Sequence, residues 1–160
     1  TDHPAEIAFL YDRIDYERRC SLSERGEFRL DRMRQLMERL GNPAHSLPCI
    51  HVAGTKGKGS TACMIHQVAR QAGYRVGLYT SPHLERLEER FVVDGAACRE
   101  DQLGELLEQV RPVVESMDRQ DPQQLGPTFF DITTAMAILF FCQSQVDLAV
   151  LEVGLGGRLD

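Results

Sequence analysis

The chain has 160 residues, 18 Lys+Arg against 24 Asp+Glu, a formal net charge of −6 and 42% hydrophobic residues. That length suits one domain, or a piece of a larger protein, and lets a chain bury about 70% of its unfolded surface. The acidic balance excludes the broad basic footprint that nucleic acid or an anionic membrane demands, while leaving room for a local basic pocket.

Pro4 to about Tyr16 carries apolar residues at Ile7, Leu10, Tyr11 and Ile14, a helical spacing. Phe28–Leu40 repeats it and stops at Gly41-Asn42-Pro43, a helix-end signal. Cys49–Ala53 reads as a short buried strand, Gly54–Ser60 as a glycine-rich loop, and Thr61–Ala72 as a helix closed by Gly73. Arg75–Thr80 is a second strand. Ser81–Glu89 is a polar loop opened by Pro82, and Arg90–Val93 a short strand turning at Asp94-Gly95. From Leu103 the apolar positions Leu106, Leu107, Val110, Val113, Val114 and Met117 mark an amphipathic helix, with Pro112 as a kink or early turn. Asp118–Pro127 is a Gln/Asp/Pro-rich connection. Phe129–Cys142 is apolar on nearly every side, as a helix between two layers would be. Asp147–Val153 is a third buried strand, ending in Gly154-Leu155-Gly156-Gly157.

Strands alternating with helices predict the α/β class, a mainly parallel sheet flanked by helices with a phosphate-binding loop. Ligands of such sheets sit outside the carboxyl ends of the strands. Three motifs follow strand ends here: Gly54–Ser60, Thr80–Leu84 and Glu152–Asp160. The closing Gly-Leu-Gly-Gly-Arg-Leu-Asp reads as a loop leaving a buried strand, so residues 1–160 are expected to be an N-terminal piece of a longer enzyme, or a truncated product.

Five cysteines (Cys20, Cys49, Cys63, Cys98, Cys142) are scattered, with no C-x-x-C pair. They read as small buried apolar residues in a reducing cytosol, not as a disulfide framework or zinc site. The longest apolar run is too short to span a bilayer, and the N-terminus lacks a signal pattern. A soluble cytoplasmic protein is expected.

The chain has sixteen arginines but only two lysines, Lys56 and Lys58, both within Gly54-Thr55-Lys56-Gly57-Lys58-Gly59-Ser60-Thr61. Glycines let backbone N–H groups curl around phosphate oxygens, and a following helix N-terminus adds positive charge at the same place. Lys58 can reach the outer phosphates; Ser60 or Thr61 can donate to phosphate or help hold a metal. Only two residues separate the first glycine from Gly57-Lys58, and Gly59 intervenes before Ser60. This is therefore a variant of the usual phosphate loop, and it contains no dinucleotide fingerprint.

The run Ile50–Thr61 resembles the nucleotide loop of the Mur ligase superfamily. Tyr79-Thr80-Ser81-Pro82-His83-Leu84, Pro127-Thr128-Phe129-Phe130-Asp131 and Leu151–Asp160, with Tyr16-Glu17-Arg18 and Leu40–Pro43, resemble its folylpolyglutamate synthase/dihydrofolate synthase branch. The resemblance implies that residues 1–160 are a partial N-terminal ATP-binding domain, a truncated Mur-ligase-like ATPase domain whose remainder would follow, of an ATP- and Mg²⁺-dependent ligase. In such a ligase a folate or pteroate carboxylate is phosphorylated by ATP, and the acyl phosphate is attacked by the amino group of L-glutamate. It implies small-molecule substrates, no nucleic acid and no membrane. Lys58 is the implied catalytic residue, and Thr55, Lys56, Gly57, Lys58, Gly59 and Ser60 the implied ATP contacts. Lys56 stands where many relatives have Asn, so a solvated lysine competes with a contact. Ser81 and Glu152 match the metal positions, against a turn cap for Ser81 and a buried arginine pair for Glu152. Thr128, Phe129, Phe130 and Asp131, and further on Leu159 and Asp160, match substrate-binding stretches; core packing for the phenylalanines and a helix N-terminus for Asp131 are the competing roles. The family's remaining metal-site histidine, its carbamylated lysine and its glutamate-binding domain would lie downstream. Another Mur-type amide ligase, or a nucleotide-binding module without ligase activity, are the rival functions. His51 reads as structural, and His3, His45 and His66 carry no catalytic expectation.

Overall fold

The computed structural model describes residues 5–13, 30–120 and 126–154. Tyr16-Glu17-Arg18, Cys20, His3, Leu159 and Asp160 lie outside them. Five helices are described: α1 (Ala5–Tyr11), α2 (Leu30–Arg39), α3 (Lys58–Gln71), α4 (Glu100–Gln120) and α5 (Phe129–Gln143). The strands are β1 (Cys49–Val52), β2 (Val76–Tyr79), β3 (Phe91–Val93), β4 (Ala96–Ala97) and β5 (Leu148–Glu152). They form one sheet in the order β1-β5-β2-β3-β4. β5 runs parallel to both β1 and β2, while β3 and β4 add an antiparallel edge. The sheet is thus mixed but parallel where the strands carry the three sequence motifs.

Helix α3 packs on one face of the sheet over a small cluster of Val52, Ala62, Val76, Leu78 and Val150. Helix α5 packs on the other face, with α1, α2 and α4 outside it. α5 buries Phe129, Ile132, Met136, Phe140 and Phe141 because it faces β2 on one side and helices on the other. Its ring at Phe141 lies so close to β2 that a Cβ on Gly77 would fall 2.6 Å from it. Every residue of the central strand β2 is buried. A bidentate pair from Arg13 to Asp118, at 3.1 and 2.7 Å, ties the end of α1 to α4.

Several expectations need correction. β1 is a sheet edge, with Cys49, Ile50 and His51 exposed and only Val52 buried, so it is not a buried strand. Of the four described cysteines, Cys49 and Cys63 are exposed, Cys142 is partly buried, and Cys98 alone is enclosed. Burial, aided by the Glu88 charge, pushes the Cys98 thiol up to about 12. α4 begins at Glu100 and continues through Pro112, whose ring lies on the exposed side and replaces one helical N–H. The Asp94-Gly95 turn, with φ of 52° and 85°, stands where the sequence puts it. No described helix is long and apolar enough to cross a membrane.

His66 is 1% exposed on α3, and its Nε2 has no hydrogen-bond partner among the described residues. Burial, then the Arg70 charge, holds its pKa below the ordinary 6.5. The unfolded chain takes up the proton more readily, so the stability tied to neutral His66 is full above pH 6.5 and declines as pH falls through the lowered folded value. Thermal melts from pH 7.5 to 5 should therefore fall more steeply for the native chain than for His66→Gln. Parallel curves would contradict this.

Candidate functional site

The parallel register sets where the site lies. Val52 of β1 stands opposite Glu152 of β5, and Tyr79 of β2 opposite Leu151. The segments after β1, β2 and β5 therefore leave the same carboxyl edge of the sheet.

The first of these is shorter than the glycine pattern predicts. Gly57 adopts φ 74° and caps α3, so Lys58, Gly59 and Ser60 belong to the first helical turn. Their N–H groups are the unpaired donors of a helix start. The carbonyl of Gly57 accepts both the Thr61 N–H and the Thr61 hydroxyl, each at 2.9 Å. The Thr61 side chain is thereby engaged locally, and Thr55 and Ser60 carry the other exposed hydroxyls of the loop. The stem of Lys58 lies along the backbone at Gly54, where a Cβ would meet its Cγ at 3.7 Å. Among the described residues neither Lys56 nor Lys58 makes an ion pair; Thr55, Lys56 and Gly57 are exposed and Lys58 half-buried.

Glu152 joins the other two segments to this turn. It is the last residue of β5 and only 7% exposed. Its carboxylate faces Gly59, where an added Cβ would lie 3.2 Å from Oε2 and 3.4 Å from Oε1. The same Oε2 accepts the Ser81 N–H at 3.1 Å, the one hydrogen bond to this carboxylate among the described residues. No arginine pairs with Glu152 there, so the buried ion pair weighed against a metal role is not found. Ser81 precedes a cis peptide to Pro82.

The Thr128–Asp131 stretch opens α5. Thr128 Oγ1 accepts the Asp131 N–H at 3.1 Å, and Asp131 Oδ2 accepts the Thr128 N–H and hydroxyl at 2.8 Å each. These reciprocal bonds form a capping box, and Arg32 lies 3.7 Å from the same carboxylate oxygen. Phe129 is fully enclosed, stacked on Tyr11 at 5.7 Å and covered by the Arg90 guanidinium at 5.1 Å. It packs beneath the site and lines no part of it, so a direct substrate contact for Phe129 does not fit this structure. Phe130 is partly exposed, tilted against Tyr79 at 6.1 Å, with its edge over Gly154. Leu159 and Asp160 fall outside the described residues.

Two residues here went unnoticed in the sequence. Arg90 is 2% exposed and donates from Nε to His83 Nδ1 at 2.9 Å. The Glu89 carboxylate accepts backbone N–H groups from Leu84, Glu85 and Arg86 at 2.7, 3.1 and 2.9 Å. Those donors, Leu84 foremost, hold its carboxyl below the usual carboxylate range. Glu-Arg inside a polar loop carries no spacing signal that separates such a pair from solvated charge. Among the described residues no cluster of three His, Cys, Asp or Glu stands ready to hold a metal ion.

A lysine-bearing helix N-terminus at the carboxyl edge of parallel strands, faced by a nearly buried carboxylate, has the strand–turn–helix form of a phosphate-loop α/β unit. No family model matches the chain. It is 44% identical over 132 residues to the dihydrofolate synthase/folylpolyglutamate synthase of Bacillus subtilis, an alignment covering 82% of this chain and 30% of that protein. The crystal structure of the Thermotoga maritima folylpolyglutamate synthase superposes with a TM-score of 0.83 at 38% identity, over 96% of this chain and 33% of that one. A folylpolyglutamate synthase in complex with AMPPCP and folate gives 0.82 at 37% identity, over 97% and 36%. The chain belongs to the folylpolyglutamate synthase/dihydrofolate synthase family, and it spans about a third of the length of the relatives it matches.

The approach of Gly59 to Glu152 gives a direct test of the site's geometry. Gly59→Val should displace the carboxylate from the Ser81 N–H and raise amide exchange at Ser81 about tenfold or more. Unchanged exchange at Ser81 would contradict the placement.

Proposed function

We propose that this chain is the ATP-binding portion of a ligase that joins a folate or pteroate carboxylate to the amino group of L-glutamate through an acyl phosphate. The observation that carries the proposal is the meeting of Gly59, Ser81 and Glu152 at one sheet edge. It is supported by the likeness to an enzyme seen with AMPPCP and folate.

Phosphoryl transfer to a carboxylate brings two anions together, so the protein's task is to neutralise charge and to align. The N–H groups of Lys58, Gly59 and Ser60, the α3 dipole and the Lys58 ammonium supply positive charge for the ATP phosphates. The exposed Thr55 and Lys56 extend that edge. Glu152 and the Ser81 hydroxyl are hard oxygen donors of the type Mg²⁺ takes. The nearly buried Glu152 carboxylate, with one hydrogen bond, fits such an ion. When bound, Mg²⁺ would shield the phosphate oxygens from the incoming carboxylate. Phe130, at the mouth beside Gly154, offers a ring face for a flat heterocycle, and the Thr128–Asp131 capping box fixes the helix end that carries it. Leu159 and Asp160 are assigned to the same substrate by resemblance alone. The exposed thiols of Cys49 and Cys63 suit a reducing compartment, and we place the protein in the cytoplasm.

In the full-length protein carrying this chain, Lys58→Ala should weaken Mg·ATP by about 10–100-fold, the loss of a charge-assisted contact, with the circular dichroism unchanged. Dihydropteroate or a folate, with glutamate, should stimulate phosphate release. Stimulation only by a cell-wall precursor would assign the chain to another Mur-type ligase, and none by any acid would leave a nucleotide-binding module.

A further inference from the structure

Glu89 and Arg90 grip the segment Ser81–Arg86 from two sides. The Glu89 carboxylate gathers the successive N–H groups of Leu84, Glu85 and Arg86, which closes that stretch into a tight turn. Arg90 reaches back to His83 by its Nε–H, while its guanidinium lies over the ring of Phe129. An arginine Nε only donates, so His83 Nδ1 accepts and the ring proton of the neutral imidazole resides on Nε2. Lysine could not reproduce a planar guanidinium that both stacks and donates sideways. Burying this cation is costly unless it is paired and stacked, and Arg90 is among the largest fully buried side chains.

The clasp bears on chemistry through its neighbours. Ser81, at the start of the gripped segment, supplies the one described hydrogen bond to the Glu152 carboxylate. Phe129, under the guanidinium, belongs to the first turn of α5 beside Thr128 and Phe130. The α3 N-terminus, proposed above for the ATP phosphates, is instead shaped by the left-handed turn at Gly57.

We propose that Glu89 and Arg90 are positioning residues that lock the 81–86 loop against Glu152 and the α5 N-terminus, and that they govern the use of the acid substrate and not the metal-free binding of ATP at the α3 N-terminus. The second half rests on the ligase function proposed above; the first half does not.

The test uses the full-length protein carrying this chain, with Glu89→Gln as the principal variant. Glutamine keeps one oxygen for Glu85 and Arg86 but turns an N–H₂ toward the Leu84 N–H. Amide exchange at residues 84–86 should speed up about tenfold or more, with exchange in α3 and β5 unchanged. With dihydropteroate as the acid, kcat/KM should fall about tenfold or more while metal-free ATP affinity stays within about twofold. The melting temperature should move by no more than about 3 °C. Arg90→Lys should reproduce the kinetic pattern if it folds, and its effect should be non-additive with His83→Ala. Unchanged exchange at 84–86 in Glu89→Gln overturns the clasp, whatever the enzyme turns over. Faster exchange with acid kcat/KM and metal-free ATP affinity falling together overturns the assignment to the acid side. Faster exchange in a protein whose native form shows no acid-dependent ATP turnover upholds the clasp and defeats the ligase proposal.

Discussion

The site is organised around one carboxylate. Glu152 ends a strand whose preceding residues, Ala149 and Val150, are fully buried, and only 7% of the residue is exposed. A carboxylate in such a place demands compensation. Part of it comes from the N-terminus of α3, where Gly59 allows the carboxylate to approach the helix start. A carboxylate held near a helix start is favoured by about 0.3–1 kcal/mol, and by up to about 2 kcal/mol when partly buried. A further part comes from the Ser81 N–H. The carboxylate is thus a common fastening for the segments after β1, β2 and β5.

That fastening explains why the rest of the fold takes the form it does. Parallel pairing of β5 with both β1 and β2 brings three strand ends into one line. Parallel pairing in turn requires helices as crossovers, so both faces of the sheet are covered and β2 is buried along its whole length. On one face α3 delivers a helix start. On the other, α5 delivers its capped N-terminus, and Phe130 reaches over Gly154 toward the same edge. The loop between β2 and β3 is left to close the space, and its shape is set by Glu89 and Arg90 at its far end.

Much of this is legible in the residues alone. The run Phe129–Cys142 has no polar face, which only a helix covered on both sides tolerates, and α5 matches it within a residue. The stripe from Leu103 to Met117 reports α4, and Gly41-Asn42-Pro43 reports the end of α2, where Asn42 sits at φ 51°. Other features depend on tertiary placement. A strand is central or marginal only through its neighbours, so the apolar Cys49–Val52 gives no sign of being an edge. The start of α3 depends on the left-handed turn at Gly57, and a segment with three glycines offers several places for it. Phe129 and Phe130 are identical in sequence terms, yet helical geometry sends one into the core and the other to the mouth. Buried Arg90 is the hardest case, because an arginine in a charged loop signals solvent until Phe129 and His83 are seen around it.

The central claim is that the Glu152 carboxylate faces the phosphate site and carries the cation there. Manganese(II) binding to the full-length protein with ATP, followed by electron paramagnetic resonance for the native form and Glu152→Gln, tests it most directly. The account predicts that the variant retains metal-free ATP affinity but holds manganese(II) in the ternary complex at least about tenfold more weakly. Equal manganese(II) retention by the two proteins would contradict it.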